Sequence, residues 1–186
     1  METNVKRIGI VGSHSCGKTS LLHELSKQLP NYPVIEEVAS LFPRSTRRYM
    51  ETQCAIMRMQ IESEKRCQPL MISDRTVMDN ITYTYLCFEE SPPSDENATL
   101  MEFNNERCEK HMKTHPYDLI IFVEECLPIE DNNSRCLNPH YQTLIYDRLK
   151  ELVILSRKVY KDFDILYIKG TLDERMQTII SYLAEH

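Results

Sequence analysis

No apolar run in the 186-residue chain approaches the roughly 20 residues needed to cross a bilayer, so the sequence predicts no membrane-spanning helix. An excess of positive charge is also missing. The 22 Lys and Arg stand against 28 Asp and Glu, for a net charge of −6. That balance speaks against a surface clinging throughout to nucleic-acid phosphates, while leaving room for a local basic patch on an anionic substrate. The seven cysteines lack paired Cys-x-x-Cys spacing, so they are expected as small buried hydrophobes without disulfides. The opening Met1-Glu-Thr-Asn-Val-Lys-Arg7 holds no apolar signal-like stretch, and a cytoplasmic protein is expected. No internal repeat occurs, and no Asn-Lys-x-Asp run that would read guanine.

With 41% hydrophobic and 27% charged residues, the composition is that of an ordinary globular protein, and its length suits one domain over 1–186. The β-branched run Val5–Val11 predicts a buried strand, and Leu21, Leu22, Leu25 and Leu29 put an apolar stripe on a helix from Lys18 that Pro30 stops. A short strand is expected over 32–37, an irregular basic segment over 41–48, and an amphipathic helix over 49–67 with Glu62 and Arg66 paired. A strand over 70–73 follows, then a helix over 77–88 and an acidic, proline-bearing loop over 89–96. Further helices are expected over 100–111 and 141–159, with strands over 118–123 and 165–168. Thr171 and Glu174 form a capping box for a last helix. The polar stretch 124–140 is a lid candidate. Strands alternating with helices imply an α/β fold: a five-stranded parallel sheet with helices on both faces and ligands at the carboxyl ends of the strands.

The segment Gly12-Ser13-His14-Ser15-Cys16-Gly17-Lys18-Thr19, followed by Ser20, carries the sharpest chemistry. A polyphosphate needs inward backbone N–H groups, a cation and a helix N-terminus. Gly12 and Gly17 permit the loop geometry, Lys18 reaches the β and γ phosphates, and Thr19 offers a hydroxyl to Mg²⁺. Its place between a strand and a helix sets it apart from a chance match. Cys16 is read as a small residue tolerated in the loop, and His14 as a loop residue facing solvent. Glu36 or Glu37 ends the second strand and Asp74 the third, so all can face the crevice beside the loop. Arg44, Arg47 and Arg48 can hold an anionic acceptor or can form a solvated basic face. Cys108, His111 and His115 have metal-compatible spacing, but Pro116 ends their helix and no fourth ligand accompanies them, so zinc is not expected.

Gly12–Thr19, Ile35-Glu36-Glu37-Val38-Ala39, Ile72-Ser73-Asp74-Arg75-Thr76 with Asp79, and Arg135 ahead of Tyr141-Gln142 together resemble the P-loop nucleoside and nucleotide kinase-like families. Within these the chain resembles the AAA-type ATPase-like proteins akin to nicotinamide riboside kinases and phage DNA-base kinases. The resemblance implies a P-loop NTPase fold with a small lid and ATP with Mg²⁺. It implies transfer of the γ-phosphoryl group to a nucleoside, nucleotide or modified DNA base. By analogy with thymidylate and deoxynucleoside kinases, it makes Glu36 or Glu37 the base. Asp74 then helps hold Mg²⁺ alongside Thr19, and Arg75 binds the acceptor or the transferring phosphate. The reverse assignment, with Asp74 as base, stays open. Arg44, Arg48, Arg75 and Asp79 fall on the acceptor side, and Arg135 in the lid closes over the phosphates or stacks on adenine. A nucleotide-hydrolysing regulatory ATPase is the alternative, and a homodimer is left open.

Overall fold

The computed structural model describes residues 3–124, 139–160 and 163–186. Among them, five strands form one parallel sheet: β1 (Arg7–Val11), β2 (Val34–Ile35), β3 (Met71–Asp74), β4 (Leu119–Val123) and β5 (Asp164–Ile168). Their spatial order is β2-β3-β1-β4-β5. The helices are α1 (Lys18–Gln28), α2 (Met50–Arg66), α3 (Val77–Glu90), α4 (Asp95–Thr114), α5 (Pro139–Val159) and α6 (Leu172–Glu185), with two 3₁₀ turns at Val38–Leu41 and Arg44–Thr46. The expected α/β P-loop NTPase fold is therefore present. The lid expected over 124–140, with Arg135, lies almost wholly outside the described residues.

The strands are apolar on both faces because both are covered. Ile8, Ile10, Ile72, Leu119, Ile121 and Val123 pack against Leu21, Leu22 and Leu25 of α1 and Ile179 and Leu183 of α6. The alternate residues Met71, Ile120 and Phe122 pack against α2, α3 and α5 through Met57, Met78, Ile81 and Leu149. Residues one apart along a strand thus serve opposite cores, as the pleat requires. The central β1 pairs with β3 on one side (Ile10 with Asp74) and β4 on the other (Val11 with Phe122), so the loop after β1 opens at the switch point of the sheet.

Three sequence expectations are corrected. The strand expected over 32–37 contracts to Val34–Ile35. The acidic loop over 89–96 shortens because Ser94 caps α4, accepting from Asn97 N, with Asp95 and Glu96 in the positive first turn. In α2 the buried face holds Met50, Gln53, Ile56, Met57, Gln60 and Glu64, and Glu62 and Arg66 form no ion pair.

Glu64 explains the polar residues on that face. It is fully buried, and Arg7 Nη2 (3.0 Å), Tyr117 Oη (2.7 Å) and Gln60 Nε2 (2.9 Å) all donate to its carboxylate, with His111 Nε2 at 2.8 Å. A buried carboxylate is tolerable only when its lone pairs are filled in this way. Tyr117 Oη also accepts from Val77 N at 3.2 Å, so the cluster ties β1, α2, α3 and α4 together. Glu64→Ala is expected to lower the free energy of unfolding by about 3–5 kcal/mol, because it strands the Arg7 charge. Urea denaturation followed by circular dichroism measures the loss.

Candidate functional site

The loop after β1 is built from backbone conformations that few residues adopt. Gly12 (φ 152°), Ser15 (φ 63°) and Gly17 (φ 85°) all lie at positive φ. A Cβ at Gly12 would sit 3.0 Å from Cys16 Sγ and 3.1 Å from the Val123 carbonyl oxygen, so the close approach of β4 also demands glycine. The turn delivers the chain into α1 with the helix N-terminus facing the cleft, where unpaired N–H groups favour an anion. Lys18, only 5% exposed, folds back over the loop: its Nζ donates to the carbonyls of Gly12 (3.0 Å) and Ser13 (2.7 Å). Burial alone would lower its affinity for the proton, but Cys16, Asp74 and Asp79 outweigh burial and Arg75, and hold the ammonium above the ordinary lysine range. Cys16 Sγ donates to the Ser13 carbonyl at 3.0 Å, which places this thiol inside the loop as a packing element. Two side chains brace the loop from other elements. Arg175 of α6 donates to the Cys16 carbonyl (2.7 Å), and Gln142 of α5 to that of His14 (2.9 Å).

Beside the loop, Thr19 Oγ1 donates to Asp74 Oδ2 at 2.6 Å. Asp74 is 1% exposed, and its other oxygen, Oδ1, has no hydrogen-bond partner among the described residues. A hydroxyl and a carboxylate side by side, one buried oxygen left over, are the hard oxygen donors Mg²⁺ takes, so these residues fit that ion. The next residue, Arg75, leaves β3 at φ 80°. Its carbonyl accepts from Ser73 Oγ (2.6 Å) and Gln60 Nε2 (3.3 Å). Its guanidinium donates from Nε to Glu37 Oε1 at 2.8 Å and lies 5.0 Å from the centre of the Tyr83 ring. The Arg75 charge holds the Glu37 carboxyl below the usual glutamate range against the opposing effect of burial.

These groups line one cleft of about 1150 Å³ among the described residues. The structure brings to it His14, Ser15, Cys16, Gly17, Lys18, Thr19, Ser20, Glu37, Asp74 and Arg75, together with Arg44 and Arg48 on the opposite wall. Gly12 and Ser13 are buried behind the loop. Two expected residues are placed elsewhere. Glu36 is exposed and does not line the cleft, because the two-residue β2 turns Glu37 inward instead. Asp79 does not line the cleft either: it is fully buried, closes a capping box with Thr76, accepting from Thr76 N at 2.9 Å, and its other oxygen lies 3.8 Å from Arg75 Nη1. Arg135 lies outside the described residues. Sequence reasoning missed Arg175, Gln60, Gln53, Asn80 and Tyr83. Arg175 had a signal, since it falls on the Ile179–Leu183 stripe of α6, where an arginine has no reason to sit without a buried acceptor.

The sequence matches the family described as AAA domain over residues 7–175. Among solved structures, the fold is similar to deoxyadenosine kinase from M. mycoides with bound dCTP, at a TM-score of 0.68 and 16% identity, covering 96% of this chain and 99% of that one. It is similar to the NadR protein in complex with NR at a TM-score of 0.71 and 16% identity, covering 97% of this chain but 52% of that one, about half its length. Thymidylate kinase from Candida albicans matches at a TM-score of 0.64 and 16% identity, over 100% of this chain and 93% of that one. No curated protein matches the chain by sequence.

Burial raises the Asp79 carboxyl to about 6 even though Arg75, Lys18 and the Thr76 hydrogen bonds favour its charged form. The folded value lies above the unfolded one, so the native state holds a proton the unfolded chain has lost, and this group withdraws stability as pH rises from about 4 to 6. Asp79→Asn keeps an oxygen for the Thr76 amide and removes the titration. It is expected to match the wild type near pH 4 and to exceed it by on the order of 2 kcal/mol at pH 7, measured by thermal unfolding across that range.

Proposed function

This chain belongs to the AAA domain family, and on that footing we propose that it is an ATP-dependent phosphotransferase, moving the γ-phosphoryl group of ATP to a nucleoside, a nucleotide or a modified nucleic-acid base. The observation that supports this reading is the convergence of three groups on one cleft: the loop with Lys18, the Thr19–Asp74 pair, and the Glu37–Arg75 pair. A nucleotide hydrolase needs one site, and the wall carrying Arg44, Arg48, Asn80 and Tyr83 would then have no ligand to serve.

In this reading the loop amides and Lys18 hold the β and γ phosphates, with Lys18 exchanging the Gly12 and Ser13 carbonyls for phosphate oxygens. Thr19 and Asp74 would hold Mg²⁺, which would supply charge neutralisation to the phosphates. Arg75 stands over the transferring group. Glu37 is the carboxylate placed to accept a proton from a hydroxyl acceptor, with its companion Arg75 fixing its position. The bond between the γ phosphorus and its bridging oxygen breaks, the electron pair leaves with ADP, and a new bond forms to the acceptor oxygen.

Labelled ATP incubated with nucleosides, nucleotides, nicotinamide riboside and modified oligonucleotides tests the proposal. Acceptor-dependent transfer is expected, reduced at least about 10²- to 10³-fold by Lys18→Ala. Tight ATP binding with no labelled acceptor across the panel would sink it, and hydrolysis indifferent to every acceptor would shift the reading to a regulatory ATPase.

A further inference from the structure

We infer that the acceptor carries a phosphate of its own: the wall formed by Arg44, Arg47 and Arg48 is a subsite for a nucleoside monophosphate, with the nucleoside lying against Tyr49, Tyr83 and Asn80. The inference rests on the phosphotransferase reading and narrows it.

The arginine segment is held in place by buried side chains. The Arg47 carbonyl accepts from Gln53 Nε2 at 2.6 Å and the Arg48 carbonyl from Cys87 Sγ at 2.9 Å. Gln53 and Cys87 are 5% and 6% exposed, so α2 and α3 each contribute an interior side chain to fixing this short backbone. Arg47 Nε donates to the Phe42 carbonyl at 3.1 Å, and Thr46 Oγ1 to that of Pro43 at 2.8 Å, which closes the 3₁₀ turn. A merely solvated basic face has no need of such anchoring.

The charges gathered there repel one another. Burial first, and then Arg75 and Arg44, pull Arg47 below the ordinary arginine range against the support of Glu37. In a chain of net charge −6, the described residues lining this cleft include five cationic side chains and three carboxylates, and one of the carboxylates is already taken by Arg75. An anion is the ligand that relieves this, and planar guanidiniums match the oxygens of a phosphate. The overall negative charge opposes a long polyanion, whereas a single phosphate entering the cleft meets the local field.

A second observation points to the rest of the ligand. Asn80 lines the cleft, is 4% exposed, and its Nδ2 has no hydrogen-bond partner among the described residues. A buried donor left open beside two tyrosines suits a base or sugar oxygen with an aromatic face above it. With a monophosphate acceptor the attacking oxygen is already anionic, so no carboxylate has to take a proton and Glu37 can remain on Arg75. The products are ADP and a nucleoside diphosphate.

Calorimetric titration separates the subsite from the reaction. Protein saturated with Mg²⁺ and a non-hydrolysable ATP analogue is titrated with the ribo- and deoxyribonucleoside monophosphates, the matching nucleosides, and a single-stranded oligonucleotide. At least one monophosphate is expected to bind about 10- to 100-fold more tightly than its nucleoside. Arg48→Ala and Arg47→Lys are expected to remove most of that gap while leaving nucleoside affinity within about twofold, and the exposed Arg48 can be replaced without disturbing the fold. Equal affinity for nucleoside and monophosphate overturns the inference. So does displacement of the monophosphate by the ATP analogue, tighter binding of the oligonucleotide, or equal loss of both ligands in the variants. Labelled ATP then distinguishes the two levels. Transfer to nucleosides but not to monophosphates defeats the subsite and leaves the phosphotransferase standing. Monophosphate binding as described, without any transfer, defeats the phosphotransferase.

Discussion

Arg75 leaves the sheet at φ 80°, a conformation that costs a non-glycine residue about 1–2 kcal/mol, and the Glu37 side of the cleft depends on how that turn is held. The hold comes from below. Ser73 Oγ and Gln60 Nε2 both donate to the Arg75 carbonyl, and Gln60 is itself bonded to the buried Glu64. With the backbone pinned, the guanidinium is directed toward Glu37 and across Tyr83 instead of running on along the strand. The preceding residue, Asp74, keeps the register of β3 against β1 and so meets Thr19 at the start of α1. One short segment thereby places a metal-type oxygen pair and an anion-directed cation on opposite sides of a single peptide.

The two halves of the cleft are organised by different physics. On the donor side the loop is a backbone construction: positive-φ residues, a helix N-terminus, and carbonyls that Lys18 occupies. Those neutral carbonyls are weaker partners for an ammonium than the oxygens of an anion. The arginine side is a side-chain construction, with Arg44, Arg47 and Arg48 on an anchored turn that lines the cleft together with Tyr83 and Asn80 of α3. Such a wall can be retuned by substitution without touching the loop. A shared fold at 16% identity therefore carries no information about what that wall binds.

What could be read from the sequence followed from how local each signal is. The loop over 12–19, the Asp74–Arg75 strand end and the Thr171–Glu174 box are fixed by neighbours a few residues away, and each forms at its expected place. The choice between Glu36 and Glu37 was not local. It depends on where a two-residue strand meets β3, and a slip of one residue exchanges the side that faces the cleft. Helix α4 began earlier than its pattern suggested because Ser94 caps a polar, exposed first turn, and Asn104 and His111 sit on its buried stripe, where periodicity looks for apolar residues. The same holds for Gln53, Gln60 and Glu64 in α2, whose burial is intelligible only once Arg7, Tyr117 and the Arg47 carbonyl are seen beside them.

These hidden polar residues bear on why the core is not simply apolar. A buried carboxylate with four polar neighbours is seldom more stable than well-packed hydrophobes of the same volume. Stability alone therefore gives Glu64 no clear justification. Position does: the carboxylate fixes Gln60, whose amide reaches both Ser73 and the Arg75 carbonyl, and leucines there would fill the space and leave that carbonyl with one donor. On the other flank, Gln53 does for Arg47 what Gln60 does for Arg75, one buried amide of α2 holding one carbonyl beneath an arginine of the cleft. Helix α2 thus serves as a rail on which the acceptor wall and the end of β3 are set at a common spacing. A cleft whose side chains must be held within fractions of an ångström gives a reason to keep polar side chains in its interior.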